Sequence, residues 1–368
     1  MKLDRESFEY TKPRIIIFIR STVIANLMDE VPHVGGIAVQ LYFWSQVFAQ
    51  NGWTVYSLSR DEVREREGVK FLKYNTWGRF EMLHEWFHTA WVYWHYKPDL
   101  VMERGAGRTL YSTAKLAKFF RIKTVLFGAS DVNFEPGKEL ISGGLWNRRY
   151  YQKGILLVNH IVVQNEHQKE TLMANYGRDS LILPNIWGKV QTSGKAIKSD
   201  VVWVANLRPL KRPEWILKAA ESLPEVHFTM VGDSGSSDRS YYEKIKEISS
   251  NYENVTFLGG RPFLKTCDIV SQSKILVCTS EFEGFPNTFL QAWSYGLPVV
   301  STVDPSGIIA NNGLGEVIKC KEDLVFALKR LLEDKVRYEE MSGNVKRYFM
   351  KNYSSADSYR CLMDYIGN

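Results

Sequence analysis

Two successive α/β units, each with a doubly wound parallel sheet, are what this sequence predicts, on three observations. Short apolar runs, such as Arg14-Ile15-Ile16-Ile17-Phe18-Ile19 and Lys274-Ile275-Leu276-Val277-Cys278, read as strands buried on both faces. Between such runs lie segments with apolar residues at helical spacing, and this alternation implies parallel strands joined by crossover helices. The alternation is interrupted at Pro184-Asn185, after which residues 186–200 are polar and contain Gly, Ser and Lys. At 368 residues the chain is long enough to bury two cores.

In the first half, residues 14–19 form the first strand, and a long loop leads to Gly35-Gly36 and a helix over Ile37–Ala49. Strands follow at Trp53–Leu58 and Val69–Tyr74. A helix over Phe80–Tyr96 carries Leu83, Trp86, Phe87, Ala90 and Trp94 at helical spacing, read as a stripe facing the core, and Pro98 ends it. Leu100–Met102 and Thr124–Phe127 read as strands around a helix at Leu110–Phe120, with residues 140–157 helical and 161–164 extended. In the second half, strands fall at Val201–Val204, Val226–Val231, Val255–Leu258, Ile275–Cys278, Val299–Ser301 and Glu316–Ile318, with helices between them. The final stretch is helical, broken around Asn352-Tyr353-Ser354-Ser355.

Composition narrows the class. Net charge is +6, with 45% hydrophobic and 24% charged residues, as expected of a globular protein with a mildly basic surface. No Lys/Arg block points to nucleic acid. The four cysteines form no C-x-x-C pair, and two lie in apolar runs, which fits reduced thiols in a cytosolic protein. The N-terminus is charged, and no uncharged apolar run approaches the ~18–20 residues of a membrane span. Neither secretion nor membrane crossing is expected, while contact with a membrane surface stays open. The seven histidines show no metal-ligand spacing.

The most informative segment runs from Ser280 to Trp293, between the strand ending at Cys278 and the stop at Gly296-Leu297-Pro298. A strand, a turn carrying an acid and a helix N-terminus make a site for a phosphate beside a sugar. Free N–H groups at the helix start attract the anion, and the carboxylate grips hydroxyls. Asn287 or Thr288 suits the N-cap.

This wording resembles the signature of family-four (group 1) retaining glycosyltransferases of the GT-B fold, in which Glu-Gly-Phe is followed, eight positions after that Glu, by a second Glu. Here the first acid is Glu283, and the second position is Gln291. The resemblance implies two Rossmann-like domains facing a cleft: residues 1–186 on the acceptor side, a linker at 187–199, and residues 200–349 on the donor side. The helix at 350–368 would cross back to complete the first domain. It implies a nucleotide-diphosphate-sugar donor gripped by Glu283, Gly284, Phe285, Pro286, Asn287 and Thr288. Gln291 would contact the ribose as a hydrogen-bonding group without charge.

Arg208 and Lys211, in Asn206-Leu207-Arg208-Pro209-Leu210-Lys211, resemble the family's pair that neutralises the leaving diphosphate; Arg208 sits two positions beyond the usual slot. Gly35 and Gly36, and Gly232 in Gly232-Asp233-Ser234-Gly235, resemble the glycine turns at the donor cleft. Asp131 stands where many relatives carry a His. It is a candidate to bind the acceptor or act as base, and equally a turn or cap residue. Arg104-Gly105-Ala106-Gly107-Arg108 follows a strand on the acceptor side. The run Trp146 to Lys153 reads equally as a membrane-facing rim and as a solvated face.

The activity implied is transfer of a sugar, with retention, to a hydroxyl of a glycan or lipid-linked glycan in polysaccharide or glycoconjugate synthesis. No metal or cofactor is expected, and the place implied is the cytoplasm or the inner face of its membrane. Two alternatives stand beside it: a catalytically weak or dead nucleotide-sugar-binding subunit, suggested by Gln291, and another GT-B enzyme such as a nucleotide-sugar epimerase.

Overall fold

The structure is a computed structural model describing residues 14–19, 35–59, 64–73, 81–139, 141, 144–188, 190, 192–193, 196–234, 239–283 and 285–367. The first unit runs β1 (Ile15–Phe18), α1 (Gly36–Gln50), β2 (Thr54–Ser59), β3 (Arg64–Arg66), β4 (Val69–Lys73), α2 (Glu81–Tyr96), β5 (Leu100–Arg104), α3 (Leu110–Phe120), β6 (Lys123–Phe127), α4 (Gly144–Leu157), β7 (His160–Val163), α5 (Glu166–Tyr176) and β8 (Leu181–Ile182). The second runs β9 (Ser199–Val204), α6 (Glu214–Ser222), β10 (Phe228–Val231), α7 (Arg239–Ser249), β11 (Val255–Gly259), α8 (Phe263–Ser271), β12 (Ser273–Cys278), α9 (Asn287–Ser294), β13 (Val299–Ser301), α10 (Ile308–Asn312), β14 (Gly315–Val317) and α11 (Lys321–Glu333). Two helices close the chain, α12 (Lys335–Asn352) and α13 (Ser355–Ile366).

The first sheet has the order β3-β4-β2-β1-β5-β6-β7-β8, and the second β11-β10-β9-β12-β13-β14. Every pairing is parallel except β3 with β4. The chain changes winding direction between β1 and β5, and again between β9 and β12. Such switch points open a crevice at the strand C-termini. Strand β3 has no counterpart among the expected elements. Arg64-Glu65-Arg66 carries no apolar signal, and its charges suit a sheet edge.

Apolar burial explains the helices, with one reversal. Helix α2 turns Val92 and Tyr93 into the core, while Leu83, Phe87, Trp91 and Trp94 face outward, with Phe87 74% and Trp94 63% exposed. Of the stripe expected to face the core, Leu83, Phe87 and Trp94 therefore face away from it, while Trp86 and Ala90 are half-buried. Periodicity locates an apolar face on a helix but does not say what covers it; here a narrower face of Glu85, Thr89, Val92 and Tyr93 is the buried one.

The last two helices tie the units together. Helix α12 packs against α9, and at Tyr353 the ring meets Trp293 at 6.0 Å and Phe285 at 6.2 Å. Beyond that turn, α13 lies on α1 of the first unit. Trp53 Nε1 donates to Tyr359 Oη at 2.8 Å, and Tyr359 meets Phe48 edge-on at 5.5 Å. Lys123 Nζ donates to the carbonyl of Ile366 at 3.1 Å. Tyr359→Ala removes a ring from this contact and leaves the Trp53 indole N–H without its acceptor. It is expected to lower the unfolding free energy by about 2–4 kcal/mol, read from urea denaturation followed by tryptophan fluorescence.

Candidate active site between the two sheets

The strand C-termini of both sheets line one cleft of about 480 Å³. Its first wall is built by Gly35, Gly36, Arg104, Ala129, Ser130, Gln164 and Asn185, and its second by Arg208, Lys211, Gly232, Arg261, Glu283 and the start of α9.

The second wall is laced together before any ligand enters. The loop after β9 and the turn after β12 are bonded to each other: Glu281 N donates to the Leu210 carbonyl at 2.8 Å, and Thr279 Oγ1 to the Lys211 carbonyl at 2.5 Å. Trp203, buried in β9, donates its indole N–H to Thr279 Oγ1 at 3.0 Å. These bonds set Lys211 Nζ directly on Glu283 Oε1, which also accepts from Ser280 Oγ at 2.9 Å. Arg208 points into the same cleft, and its Nε is buried without an acceptor. Thus an acid and an ammonium neutralise each other, beside a guanidinium that forms no ion pair among the described residues.

Gly232 lies where the end of β10 passes the loop after β9. A Cβ there would sit 1.8 Å from the Ala205 carbonyl oxygen, so only glycine permits the approach. At Gly36 a Cβ would fall 2.5 Å from Asn287 Nδ2, so any side chain there would displace the Asn287 amide. Gly35 precedes it as the N-cap of α1. Gly284 lies outside the described residues, as do Gly235 and the loop at 20–34 ahead of Gly35.

Asn287 opens α9, and its side chain spans the cleft. Nδ2 donates to the Gly36 carbonyl at 3.1 Å, and Oδ1 accepts from Gln40 at 3.2 Å and from Asn185 at 2.9 Å. Gln40 also exchanges two hydrogen bonds with the backbone of Ile186, at 2.8 and 2.9 Å. The amide of Asn287 is therefore committed to the first unit, leaving backbone N–H groups at the helix start for a ligand. Beside this polar seam, Phe43, Trp187 and Phe263 pack ring to ring across the two units at 4.9–6.1 Å.

Pro286, Thr288 and Phe285 line the cleft, and Phe285 also packs on Trp293 at 6.1 Å. Gln291 lines the cleft floor and is only 4% exposed, so it is not a solvent-facing helix residue. Its Nε2 donates to Cys267 Sγ at 3.3 Å. Burial pushes the Cys267 thiol up to about 12, so the sulfur that Gln291 meets is a neutral thiol. A glutamate here would face that sulfur with a buried charge, whereas an amide supplies the donor that the pocket uses.

Asp131 is not among the residues lining the cleft. It opens a 3₁₀ turn, Asp131–Phe134, and its Oδ1 accepts from Gln168 at 2.9 Å and Asn165 at 3.3 Å. Its neighbour Ser130 reaches the cleft instead. Arg108 is likewise drawn away, 3.7 Å from Glu85. Arg261, Asn185, Gln40 and Trp187 belong to the cleft or its seam without having been anticipated. Arg261 follows β11 as Arg208 follows β9, a positional signal that was available. Asn185 offered only a chain break, because its partners lie far away in sequence. No group of three or more metal-ligating side chains occurs among the described residues.

Asn287→Ala removes three hydrogen bonds from the seam. It is expected to cost about 1–3 kcal/mol and to separate the unfolding of the two units, seen by calorimetry as a broadened or split transition.

Similarity to known proteins agrees with this geometry. Residues 198–334 match the family model described as glycosyl transferases group 1. Over 228 residues the chain is 24% identical to the GtfA subunit of UDP-N-acetylglucosamine–peptide N-acetylglucosaminyltransferase from Streptococcus pneumoniae, covering 57% of this chain and 43% of that one. A D-inositol 3-phosphate glycosyltransferase of Mycolicibacterium gilvum is 26% identical over 161 residues, covering 39% of this chain and 36% of its own. The chain thus spans less than half the length of these curated relatives. Among solved structures, Anabaena HepE in complex with UDP-glucose superposes with a TM-score of 0.74 at 14% identity, covering 95% of this chain and 98% of that one. Sucrose-phosphate synthase from Thermosynechococcus elongatus gives 0.72 at 14% identity, covering 96% and 100%. The two sheets and their cleft form a GT-B fold, and residues 198–334 within it resemble the group 1 glycosyl transferases.

Proposed function

We propose that this chain transfers a glycosyl group from a nucleoside-diphosphate sugar to a hydroxyl of a glycan or lipid-linked glycan, with retention of configuration. The observation that carries the reading is the meeting of Lys211, Glu283 and Arg208 beside the start of α9, at the switch point of the second sheet. Lys211, Arg208 and the helix N–H groups receive the diphosphate, and Glu283, released from Lys211, accepts hydrogen bonds from the sugar hydroxyls. In the transfer step the bond from the anomeric carbon to the phosphate oxygen breaks, and a bond to the acceptor oxygen forms on the same face. The acceptor's proton passes to the leaving diphosphate. Cations at that diphosphate stabilise the charge that develops on it. Gln291 bonds the ribose through its carbonyl oxygen, its amide N–H₂ being turned to Cys267. Asp131 orders Gln168 and is assigned no step.

The test is release of nucleoside diphosphate from a panel of nucleotide sugars. One donor is expected to turn over. Lys211→Ala and Glu283→Ala should each lower the rate by about 10²–10³-fold, and a chelator should leave it unchanged. Tight nucleotide binding with no turnover of any donor would make the chain a binding subunit instead.

The first unit also carries a surface suited to a lipid-linked acceptor. Helices α2, α3 and α4 pack side by side, bridged by Trp86, Tyr111 and Tyr150 at 5.3–6.4 Å. Their outer faces expose Phe87, Trp91, Trp94, Phe119, Leu145 and Trp146. Lys115 lies 5.7 Å from the Trp86 ring and Arg149 5.9 Å from the Trp146 ring, Lys118 and Lys153 are exposed on the same two helices, and no acid occurs on α3 or α4. Apolar rings rimmed by cations suit a membrane interface with anionic lipid, and this supports a position of the chain at the cytoplasmic face. No helix among the described residues is long and apolar enough to cross a membrane. Cosedimentation with vesicles containing phosphatidylglycerol is expected at low salt. The triple variant Phe87→Ser, Trp94→Ser, Trp146→Ser should weaken it by about tenfold or more. Absence of binding at low salt rules the surface out.

A further inference from the structure

Arg104 ends β5 at the switch point of the first sheet and lines the cleft, yet it is only 5% exposed. Its Nη2 donates to Asn185 Oδ1 at 2.6 Å, and its guanidinium carbon lies 5.9 Å from the centre of the Phe127 ring. Nε is buried with no acceptor. Arg104 forms no ion pair among the described residues, and the adjacent acid, Glu103, accepts from Thr109 Oγ1 at 2.7 Å. Burial alone depresses the guanidinium to about 9, with no neighbouring carboxylate to offset it. Even so depressed, the group keeps its charge at neutral pH.

A buried cation matched only by a neutral amide and an aromatic ring is costly. Proteins usually hold such groups against an acid or leave them in water. Here the side facing away from protein is the cleft itself. Asn185 fixes the guanidinium there: its Oδ1 accepts from both Arg104 and Gln164, and its Nδ2 donates to Asn287 at the start of α9. Arg104 is thereby tied, through one intervening side chain, to the helix terminus on the opposite wall. A planar fork of donors held in place is suited to a phosphate or carboxylate more than to a neutral hydroxyl.

We propose that Arg104 is an oxyanion-recognition residue on the first wall of the cleft, taking as its counter-ion a phosphate or carboxylate group of a substrate. Asn185 is the positioning residue. The oxyanion comes either from the donor diphosphate, reached across the cleft, or from an anionic group on the acceptor. This inference rests on the cleft being a substrate site, but its test needs no glycosyl transfer, so failure of one does not imply failure of the other.

The experiment is isothermal titration, at constant ionic strength, of the native chain, Arg104→Gln and Arg104→Lys. The probes are inorganic pyrophosphate, inorganic phosphate and glucuronate. At least one probe is expected to bind the native chain and to lose about tenfold or more in affinity with Arg104→Gln. Arg104→Lys, which keeps the charge but not the fork, should lose about threefold or more. Loss confined to pyrophosphate assigns the anion to the donor. Loss with phosphate or glucuronate assigns it to the acceptor. The proposal is overturned if no probe binds the native chain, or if each binds equally well to whichever variant folds, as judged by circular dichroism.

Discussion

The side chain of Asn287 is the constraint on which the cleft depends. It is the first residue of a helix in one unit, and all three of its hydrogen bonds go to the other, to Gly36, Gln40 and Asn185. A primary amide suits the place because it donates and accepts at once, and a carboxylate would have nothing to give the Gly36 carbonyl. The absence of a Cβ at Gly36 lets the two elements come this close. The aromatic trio of Phe43, Trp187 and Phe263 keeps the neighbouring contact dry, so these polar bonds form at the edge of a packed seam. The same residue that starts the proposed phosphate-binding helix thus also fixes the distance between the walls.

Charge divides the cleft into two kinds of group. Lys211 and Glu283 satisfy each other when nothing is bound, at side-chain exposures of 16% and 25%. Arg208 and Arg104, one on each wall, have no such partner among the described residues. The cleft therefore presents a positive field from both sides, and among the described residues the only carboxylate lining it besides Glu283 is that of Asp233, which lies 3.4 Å from Arg239. The mildly basic balance of the chain takes on a location here: cations gather where two sheets point their strand ends, the arrangement that concentrates anions most strongly.

The parallel strands were legible because a strand buried on both faces must be a continuous apolar run, and β1, β9 and β12 are such runs. The turn from Glu283 to Thr288 was legible because its order of acid, aromatic, proline and amide is local. Three things were not. The short strand at Arg64–Arg66 owes its conformation to β4 beside it, not to its own residues. The outward stripe of α2 obeys helical periodicity perfectly well, yet periodicity carries no sign that distinguishes core from surface. The seam of Gln40, Asn185 and Asn287 joins residues widely separated in the chain, and nothing near any one of them announces the others.

The return of α13 to the first unit bears on how the chain is made. Phe48 and Trp53 belong to a core cluster that also contains Leu362, Met363 and Ile366, and Tyr359 packs against it. A polypeptide leaves the ribosome from its N-terminus, and domains usually fold in that order. Here the α1 surface stays uncovered until the entire second sheet and the helix that follows it have been synthesised. The second unit, whose strands and covering helices are contiguous in the chain, can complete itself sooner. Nascent chains would then present an unfinished first half and a finished second half, and the final helix would act as the closing stitch.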